Sequence, residues 1–368
     1  MSTLFQPYAM AEHKLANRIA MAPMTRARTA KGVPNDLMVA YYRQRASAGL
    51  IVTEGTSISS TAEGFLFIPG LYRQDQVQGW RKVTDAVHAE GSTIFTQLWH
   101  VGRVSHVSNQ PGGISPVSST GQIAKNAQAW GITADGTPGA VDVSKPRPLT
   151  TDEVRGVISD FANAAANAIE AGFDGVELHG ANGYLIEQFL NPLVNDRTDA
   201  YRADTLENRT RFVLEAVDAV IDRIGAGHTA IRLSPYGGLF DMPYYPEVDD
   251  TYLFLADELS RRKVAYVHLM DQKSRGSTAI PDAFLSAFRD RYQGTLILAG
   301  GMTRERAEEL IASDLIDIAA FGEPFIANPD LVVRLKNSLA LASADRSHYY
   351  GGGAHGYIDY GPHGVSAA

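Results

Sequence analysis

Short apolar segments alternate with longer amphipathic segments along most of the chain, and this alternation predicts the fold. Apolar runs this short are typical of strands buried on both faces of a parallel sheet. We predict strands at residues 18–21, 50–53, 93–98, 175–178, 229–233, 266–269, 295–299 and 317–321. The segments between them have helical periodicity. We predict helices at residues 35–48, 77–89, 151–171, 205–224, 250–261, 282–292, 303–313 and 329–339.

Strictly alternating strands and helices in this number predict a (β/α)₈ TIM barrel of the α/β class, with residues 1–368 as a single domain. The competing architecture, a doubly wound sheet, usually has fewer strands and a glycine-rich first turn. Two segments fall outside the alternation. Residues from about 102 to 148 are rich in Gly, Pro, Ser and Asn, and we expect a long active-site loop there. Residues from about 341 to 368 form a C-terminal tail.

Composition narrows the classes of function. The absence of cysteine excludes disulfides, thiolate catalysis and cysteine-based metal sites. The histidines have no HExxH spacing, so we expect no metal site. A net charge of −8 argues against nucleic acid as a partner. No apolar run is long enough to span a membrane, and the N-terminus lacks signal-peptide features, so we expect a cytoplasmic location.

The end of the predicted fourth strand carries the most informative side chains. His179, Asn182 and Tyr184 follow that strand within a few residues. In a TIM barrel the active site lies where strands end and loops begin, so these groups share one pocket mouth. Two hydrogen-bonding side chains and a phenol can hold an oxygen atom, polarise the group that carries it and deliver a proton.

A phosphate site is predicted after the last two strands. Gly300 and Gly301 follow the seventh strand, and Gly322 follows the eighth. These are the loops that commonly bind phosphate in barrels, through backbone N–H groups and a short helix. Gln97 and Arg232 lie on predicted strands, and we expect their side chains to point into the barrel. A buried Arg without an acidic neighbour in its own strand needs an anion, because an unpaired buried charge is costly.

Several motifs, in order, resemble the old yellow enzyme family of FMN-dependent ene-reductases, and particularly its bacterial N-ethylmaleimide, xenobiotic and nitrate-ester reductases. The resemblance extends from about residue 4 to residue 362. The matching stretches are NRIAMAPMTR at 17–26, GLIVTEG at 49–55, QLWHVGR at 97–103, HGANGYL at 179–185, NR at 208–209, FGEPFIANPDL at 321–331 and GGAHGYIDY at 352–360.

The resemblance implies a tightly but non-covalently bound FMN, with NAD(P)H as a transient reductant. It implies reduction of activated C=C bonds of α,β-unsaturated carbonyls by ping-pong hydride transfer, with nitro compounds and nitrate esters as further candidate substrates. The partners would be a small electrophilic alkene or nitro compound and NAD(P)H, with no nucleic acid and no membrane.

Residue by residue, the resemblance implies contacts with the cofactor and the substrate. The flavin ring would contact Pro23, Met24, Thr25, Gly55, Gln97 and Arg232. The phosphate cradle would consist of Gly300, Gly301, Met302, Gly322 and Glu323. The substrate oxygen would be held by His179 and Asn182, the proton would come from Tyr184, and the walls would be Trp99, Phe65 and Tyr357.

Glu323 stands where many relatives of this kind carry Arg, so its side chain cannot pair with a phosphate. Two rival functions stay open at this point. One is a flavin-free barrel lyase or isomerase with a phosphorylated substrate, which would give a colourless protein. The other is a non-catalytic flavin-binding protein, which would bind FMN without turnover.

Overall fold

The structure is a computed structural model that describes residues 2–362, and its centre is a closed barrel of eight parallel strands. We number the barrel strands in chain order. They are β1 (Ile19–Met21), β2 (Leu50–Ser57), β3 (Thr93–Trp99), β4 (Gly175–Gly180), β5 (Thr229–Leu233), β6 (Tyr266–Met270), β7 (Thr295–Ala299) and β8 (Ile318–Phe321). Parallel pairing of Ala320 in β8 with Ala20 in β1 closes the ring. The predicted TIM barrel is therefore confirmed.

A helix follows each strand and covers the barrel from outside. The helices are α1 (Asp36–Gln44), α2 (Gln74–Ala89), α3 (Thr151–Glu170), α4 (Leu206–Ile224), α5 (Val248–Arg262), α6 (Asp282–Arg291), α7 (Arg304–Ala312) and α8 (Leu331–Lys336). Short helices at Leu185–Leu190 and Pro324–Ala327 precede α4 and α8. Side-chain caps begin several helices, as at Thr150 and Thr303, whose hydroxyls accept backbone N–H groups of the first turn.

The amino end of the barrel is closed by a hairpin that the sequence analysis did not predict. Strands Tyr8–Met10 and His13–Leu15 pair antiparallel. Met10 and Leu15 are buried in the barrel interior with Phe95. Strands of three residues are too short to show periodicity, so their pattern gave no signal. The hairpin leaves the carboxyl end of the barrel as the open end.

Residues 102–148 and the C-terminal segment both lie over that open end. The former contains an antiparallel hairpin of strands Gln128–Ile132 and Pro138–Asp142. The latter is anchored from within the fold, because the Arg26 and Arg28 guanidinium groups donate hydrogen bonds to backbone carbonyls at 348–356. Of the tail predicted at 341–368, residues 363–368 lie outside the described residues. Between residues 2 and 362, no helix is long and apolar enough to cross a membrane.

Candidate active site

A cavity of roughly 1080 Å³ opens at the carboxyl ends of the barrel strands. The hairpin within 102–148 and residues of the C-terminal segment form part of its wall. Most of the residues expected at the site line this single cavity. They are Pro23, Met24, Thr25, Phe65, Gln97, Trp99, His179, Asn182, Tyr184, Arg232, Gly300, Gly301, Met302, Gly322 and Glu323.

His179, one residue before the end of β4, is a neutral hydrogen-bond donor. Its Nδ1 accepts a hydrogen bond from the backbone N–H of Ala181 at 3.3 Å. Because Nδ1 accepts, the neutral ring carries its proton on Nε2. Burial, with Arg232 nearby, holds the pKa of His179 well below 6.5, so the ring is neutral at physiological pH. The Nε2–H group makes no hydrogen bond within residues 2–362 and is available to a ligand.

Asn182 is oriented by a buried glutamine after β6. The backbone N–H of Gly238 donates to Gln272 Oε1, which identifies the other terminal atom of Gln272 as its amino group. That amino group donates to Asn182 Oδ1 at 2.9 Å. With its oxygen occupied, Asn182 presents its own amino group as a donor. His179 and Asn182 thus offer two N–H donors on one wall of the cavity.

The turn that carries Asn182 is held by a buried network. Asn182 and Gly183 both have positive φ angles, +60° and +77°. The Asn182 N–H donates to Ser234 Oγ at 2.8 Å, and Ser234 donates to the Glu187 carboxylate at 3.0 Å. The Gly183 N–H and the Tyr252 hydroxyl donate to the same carboxylate. Burial raises the pKa of Glu187 to about 7.

Tyr184 is packed among aromatic rings with its hydroxyl free. Its ring contacts those of Trp99, His179 and Phe240, with centroid distances of 4.9, 5.0 and 5.3 Å. The phenol oxygen makes no hydrogen bond to the residues that the structure describes. Burial raises the pKa of Tyr184, so the phenol stays protonated at physiological pH. Tyr184 is therefore a protonated phenol held in a fixed position beside the His179 and Asn182 donors.

Arg232 is a buried cation without a paired anion. It is 5 % exposed, and one terminal nitrogen donates to Met270 Sδ at 3.1 Å. Its Nε has no hydrogen-bond partner in the part of the chain that the structure describes. Glu177, the nearby carboxylate, is instead bonded to His268 at 2.8 Å and to Gln97 at 2.7 Å. Burial lowers the pKa of Arg232 to about 10. An anionic group in the cavity would satisfy this guanidinium.

The glycines after β7 and β8 leave room for a phosphate. Gly300 has φ +118°, and a Cβ there would lie 2.1 Å from the Asp271 carbonyl oxygen, so only glycine fits. A Cβ on Gly301 would meet nothing within 4 Å. Glu323 turns to the C-terminal segment, where it accepts a hydrogen bond from the Tyr349 hydroxyl at 2.8 Å. Together with the buried, unpaired Arg232, this open cradle fits a cofactor that has a phosphate and an electron-rich ring edge.

Two expected contacts do not lie on the cavity. Tyr357 was expected to line the substrate side, and the structure corrects this: it is fully buried and stacks on Tyr41 at 4.1 Å, with Arg28 over its ring at 4.3 Å. Gly55 lies behind Trp99, whose indole would come within 2.3 Å of a Cβ at that position.

The sequence did not point to some of the residues that hold the site from behind the cavity wall. Gln272 follows β6 within two residues, and this position at the carboxyl end of a barrel strand was a signal in the sequence. Glu187 and Ser234 are separated by 47 positions and meet only through the fold.

Far from the cavity, Glu12 pairs with His228 at 2.6 Å, near His13. These three residues form the one cluster in residues 2–362 whose ligand atoms could hold a metal. The prediction of no metal site stays a prediction.

Comparison with known proteins identifies the family of this chain. The chain matches the NADH:flavin oxidoreductase / NADH oxidase family over residues 3–342. It is 42% identical over 365 residues to 12-oxophytodienoate reductase 1 of Oryza sativa subsp. japonica, covering 97% of this chain and 92% of that one. It is 41% identical over 368 residues to 12-oxophytodienoate reductase 2 of Arabidopsis thaliana, covering 97% and 95%.

Solved structures give the same result. Morphinone reductase superposes with a TM-score of 0.95 at 44% identity, covering 98% of this chain and 96% of that one. Morphinone reductase in complex with tetrahydroNAD gives a TM-score of 0.94 at 44% identity and covers 98% of each chain.

The barrel, its cavity and these relatives define a flavin-dependent TIM-barrel oxidoreductase. The chain belongs to the NADH:flavin oxidoreductase / NADH oxidase family, in the group of the old yellow enzymes. It is an FMN-dependent enzyme that takes reducing equivalents from a nicotinamide and reduces activated C=C bonds. The flavin-free and non-catalytic alternatives are not favoured by these relatives.

Proposed function

We propose that His179 and Asn182 hold the activating oxygen of the substrate and that Tyr184 supplies the proton. The observation that carries this proposal is the presence of two free N–H donors and one free phenol on the same cavity wall. Two donors on one oxygen withdraw electron density from the conjugated alkene and stabilise the negative charge that develops during reduction.

The cofactor site follows from the same geometry. When bound, FMN accepts hydride from NAD(P)H and passes it to the alkene. Arg232 would hold the ring edge where negative charge collects, and the backbone of Gly300, Gly301 and Gly322 would hold the phosphate. Gln97 and the loop of Pro23, Met24 and Thr25 line the cavity between them.

Tyr184 would deliver the proton to carbon. Its raised pKa keeps the phenol protonated until a carbanion-like centre develops beside it, which is the behaviour of a positioned general acid. The hairpin in 102–148 forms part of the cavity wall, and we propose that it limits water access during the reaction.

The cavity wall favours a flat or cyclic apolar substrate. Phe65 and Trp99 stack with a centroid distance of 5.5 Å, and Trp130 and Phe240 extend the aromatic surface. The relatives are named as reductases of 12-oxophytodienoate and morphinone. We propose an α,β-unsaturated ketone as substrate, with nitro compounds and nitrate esters as acceptors that do not need Tyr184. A cytoplasmic location and the absence of a nucleic-acid partner stay predictions.

Phenol binding tests the oxygen-holding pair. A phenolate presents one oxygen to both donors, and we expect 4-hydroxybenzaldehyde to give a long-wavelength charge-transfer band in the purified yellow protein. In His179→Ala the dissociation constant should rise, because a lost hydrogen bond to a charged oxygen costs about 1.5–3 kcal/mol of binding free energy. His13→Ala, at the opposite end of the barrel, is the control. Unchanged binding in His179→Ala would remove this pair from the proposal.

A further inference from the structure

Three chain segments meet at the carboxylate of Glu187, behind the wall that carries Asn182. Glu187 lies in the short helix Leu185–Leu190, Ser234 follows β5, and Tyr252 lies in α5. Glu187 is 5 % exposed and Ser234 is fully buried. Neither residue lines the cavity, and neither has a role in the proposed chemistry.

The directions of these hydrogen bonds are fixed by their donors. The Asn182 and Gly183 N–H groups can only donate, to Ser234 Oγ and to Glu187 Oε2 respectively. Since Ser234 Oγ accepts from Asn182, its own proton is free to go to Glu187, whose oxygens lie at 3.0 and 3.1 Å. The Tyr252 hydroxyl donates at 3.2 Å. Three donors therefore converge on one carboxylate.

The backbone that this network holds needs support. Asn182 is in the left-handed region, which costs energy for a residue with a side chain and persists only where its surroundings fix it. Its N–H bond to Ser234 and the adjacent Gly183 bond to Glu187 hold the turn from behind, beside the bond that Gln188 donates to the Gly183 carbonyl. The direction of the Asn182 amino group depends on that turn.

We propose that Glu187, acting through Ser234, is a positioning residue that holds Asn182 ready to bind the substrate oxygen. The inference rests on the proposed role of Asn182. It adds that affinity for oxygen ligands depends on the ionised state of a carboxyl that never touches them.

Ionisation matters because a carboxylate accepts all three bonds, whereas a protonated carboxyl must place its own proton. The protonated carboxyl could donate a hydrogen bond to Ser234 Oγ, but the hydroxyl hydrogen of Ser234 would then lose Glu187 as its acceptor. Burial already raises the pKa of Glu187 to about 7, and the Gly183, Ser234 and Tyr252 bonds oppose that rise. Two other titratable groups interact with Glu187, namely Tyr245 and Tyr252, and burial raises the pKa of both. Arg209 interacts with Tyr245, and its guanidinium donates to Thr251.

Glu187→Gln and Ser234→Ala in the FMN-loaded enzyme test the link. We expect the dissociation constant of 4-hydroxybenzaldehyde to rise by roughly tenfold in each, the size expected for one lost bond to a charged group. FMN content and thermal stability are measured alongside, to show that the fold is kept. Tyr252→Phe is the matched control, since it removes a donor to Glu187 that does not touch Asn182. We expect its binding at high pH to match the parent.

A double-mutant cycle separates this inference from the proposed function. If Asn182→Ala leaves phenol binding unchanged, the proposed role of Asn182 fails. If Asn182→Ala weakens binding but Glu187→Gln and Ser234→Ala do not, only the positioning role fails. If Glu187→Gln weakens binding equally with and without Asn182, Glu187 acts by another route and the inference is wrong. The inference is supported if Glu187→Gln weakens phenol binding in the parent but not in the Asn182→Ala background.

The pH profile is a readout that a purely structural role would not move. The ratio of dissociation constants, Glu187→Gln over parent, cancels titration of the phenol itself. We expect this ratio to be large at about pH 8.5 and to approach 1 at about pH 5.5, as Glu187 becomes protonated in the parent. The same ratio can be measured in the Tyr252→Phe background, with and without Glu187→Gln. The pH at which that ratio is halfway between its limits should be higher than in the parent background, because the Tyr252 bond lowers the pKa of Glu187. A flat ratio across this range would contradict the proposal.

Discussion

At the scale of single residues, the site is defined by polar atoms that have no hydrogen-bond partner among residues 2–362. His179 Nε2 and the Asn182 amino group are free because Ala181 and Gln272 occupy their other atoms. Arg232 Nε is free because Glu177 is committed to His268 and Gln97. For His179 and Asn182 the neighbouring group thus fixes which atom is left as a donor, and we expect a ligand oxygen to accept from it.

Arg232→Met should reveal the cost of the unpaired cation. The FMN-free protein should gain stability of about 1–3 kcal/mol, because an uncompensated buried charge is replaced by an apolar side chain of similar length. FMN binding should weaken in the same variant. Chemical denaturation of the FMN-free protein and FMN titration measure the two effects, with the exposed Arg223→Met as control. A destabilised FMN-free variant would mean that the guanidinium is satisfied within the protein.

At the scale of secondary-structure elements, the loops after the strands carry the chemistry and the strands fix their positions. The sequence located each barrel strand to within a few residues, because short apolar runs between amphipathic helices leave few alternatives. It placed His179, Asn182 and Tyr184 together because all three lie at the end of β4 or within a few residues after it. It did not find Ser234 and Glu187 as partners, because that contact depends on how the β5 end packs against the short helix after β4.

Glu323 links the loop after β8 to the C-terminal segment through Tyr349. Glu323→Arg should tighten FMN by roughly tenfold if the new cation reaches the phosphate, since a charge-assisted bond contributes about 1.5–3 kcal/mol. Glu323→Gln separates removal of the carboxylate from addition of the cation and should change affinity much less. The readout is flavin fluorescence on dilution. Equal affinity of all three proteins would show that backbone N–H groups alone bind the phosphate.

At the scale of the whole molecule, the barrel separates stability from function at its two ends. The amino end is closed by the hairpin of residues 8–15, whose Met10 and Leu15 are buried in the interior. The carboxyl end is the cavity. The barrel class followed from the sequence, whereas the hairpin and the anchoring of the C-terminal segment by Arg26 and Arg28 depend on contacts between distant residues.

Met10→Ala should lower the free energy of unfolding by about 2–5 kcal/mol, because it leaves a cavity in the interior of the barrel. FMN content and the rate of enone reduction should stay near the parent values at low temperature, because the hairpin lies at the end opposite the site. Lys14 is exposed in the same hairpin, and Lys14→Ala should change neither the free energy of unfolding nor the activity. A loss of flavin in Met10→Ala with unchanged stability would contradict this separation.

The most direct test of the account is Tyr184→Phe, followed by stopped-flow absorbance of the two half-reactions. Only alkene reduction needs a proton delivered to carbon. The variant should keep its FMN and its rate of reduction by NADPH, and it should lose about 10²–10⁴-fold in reoxidation by 2-cyclohexenone. Reoxidation by a nitroaromatic should be largely retained. Equal slowing of both half-reactions would mean that Tyr184 only packs the site, and undiminished cyclohexenone reduction would mean that another group is the acid.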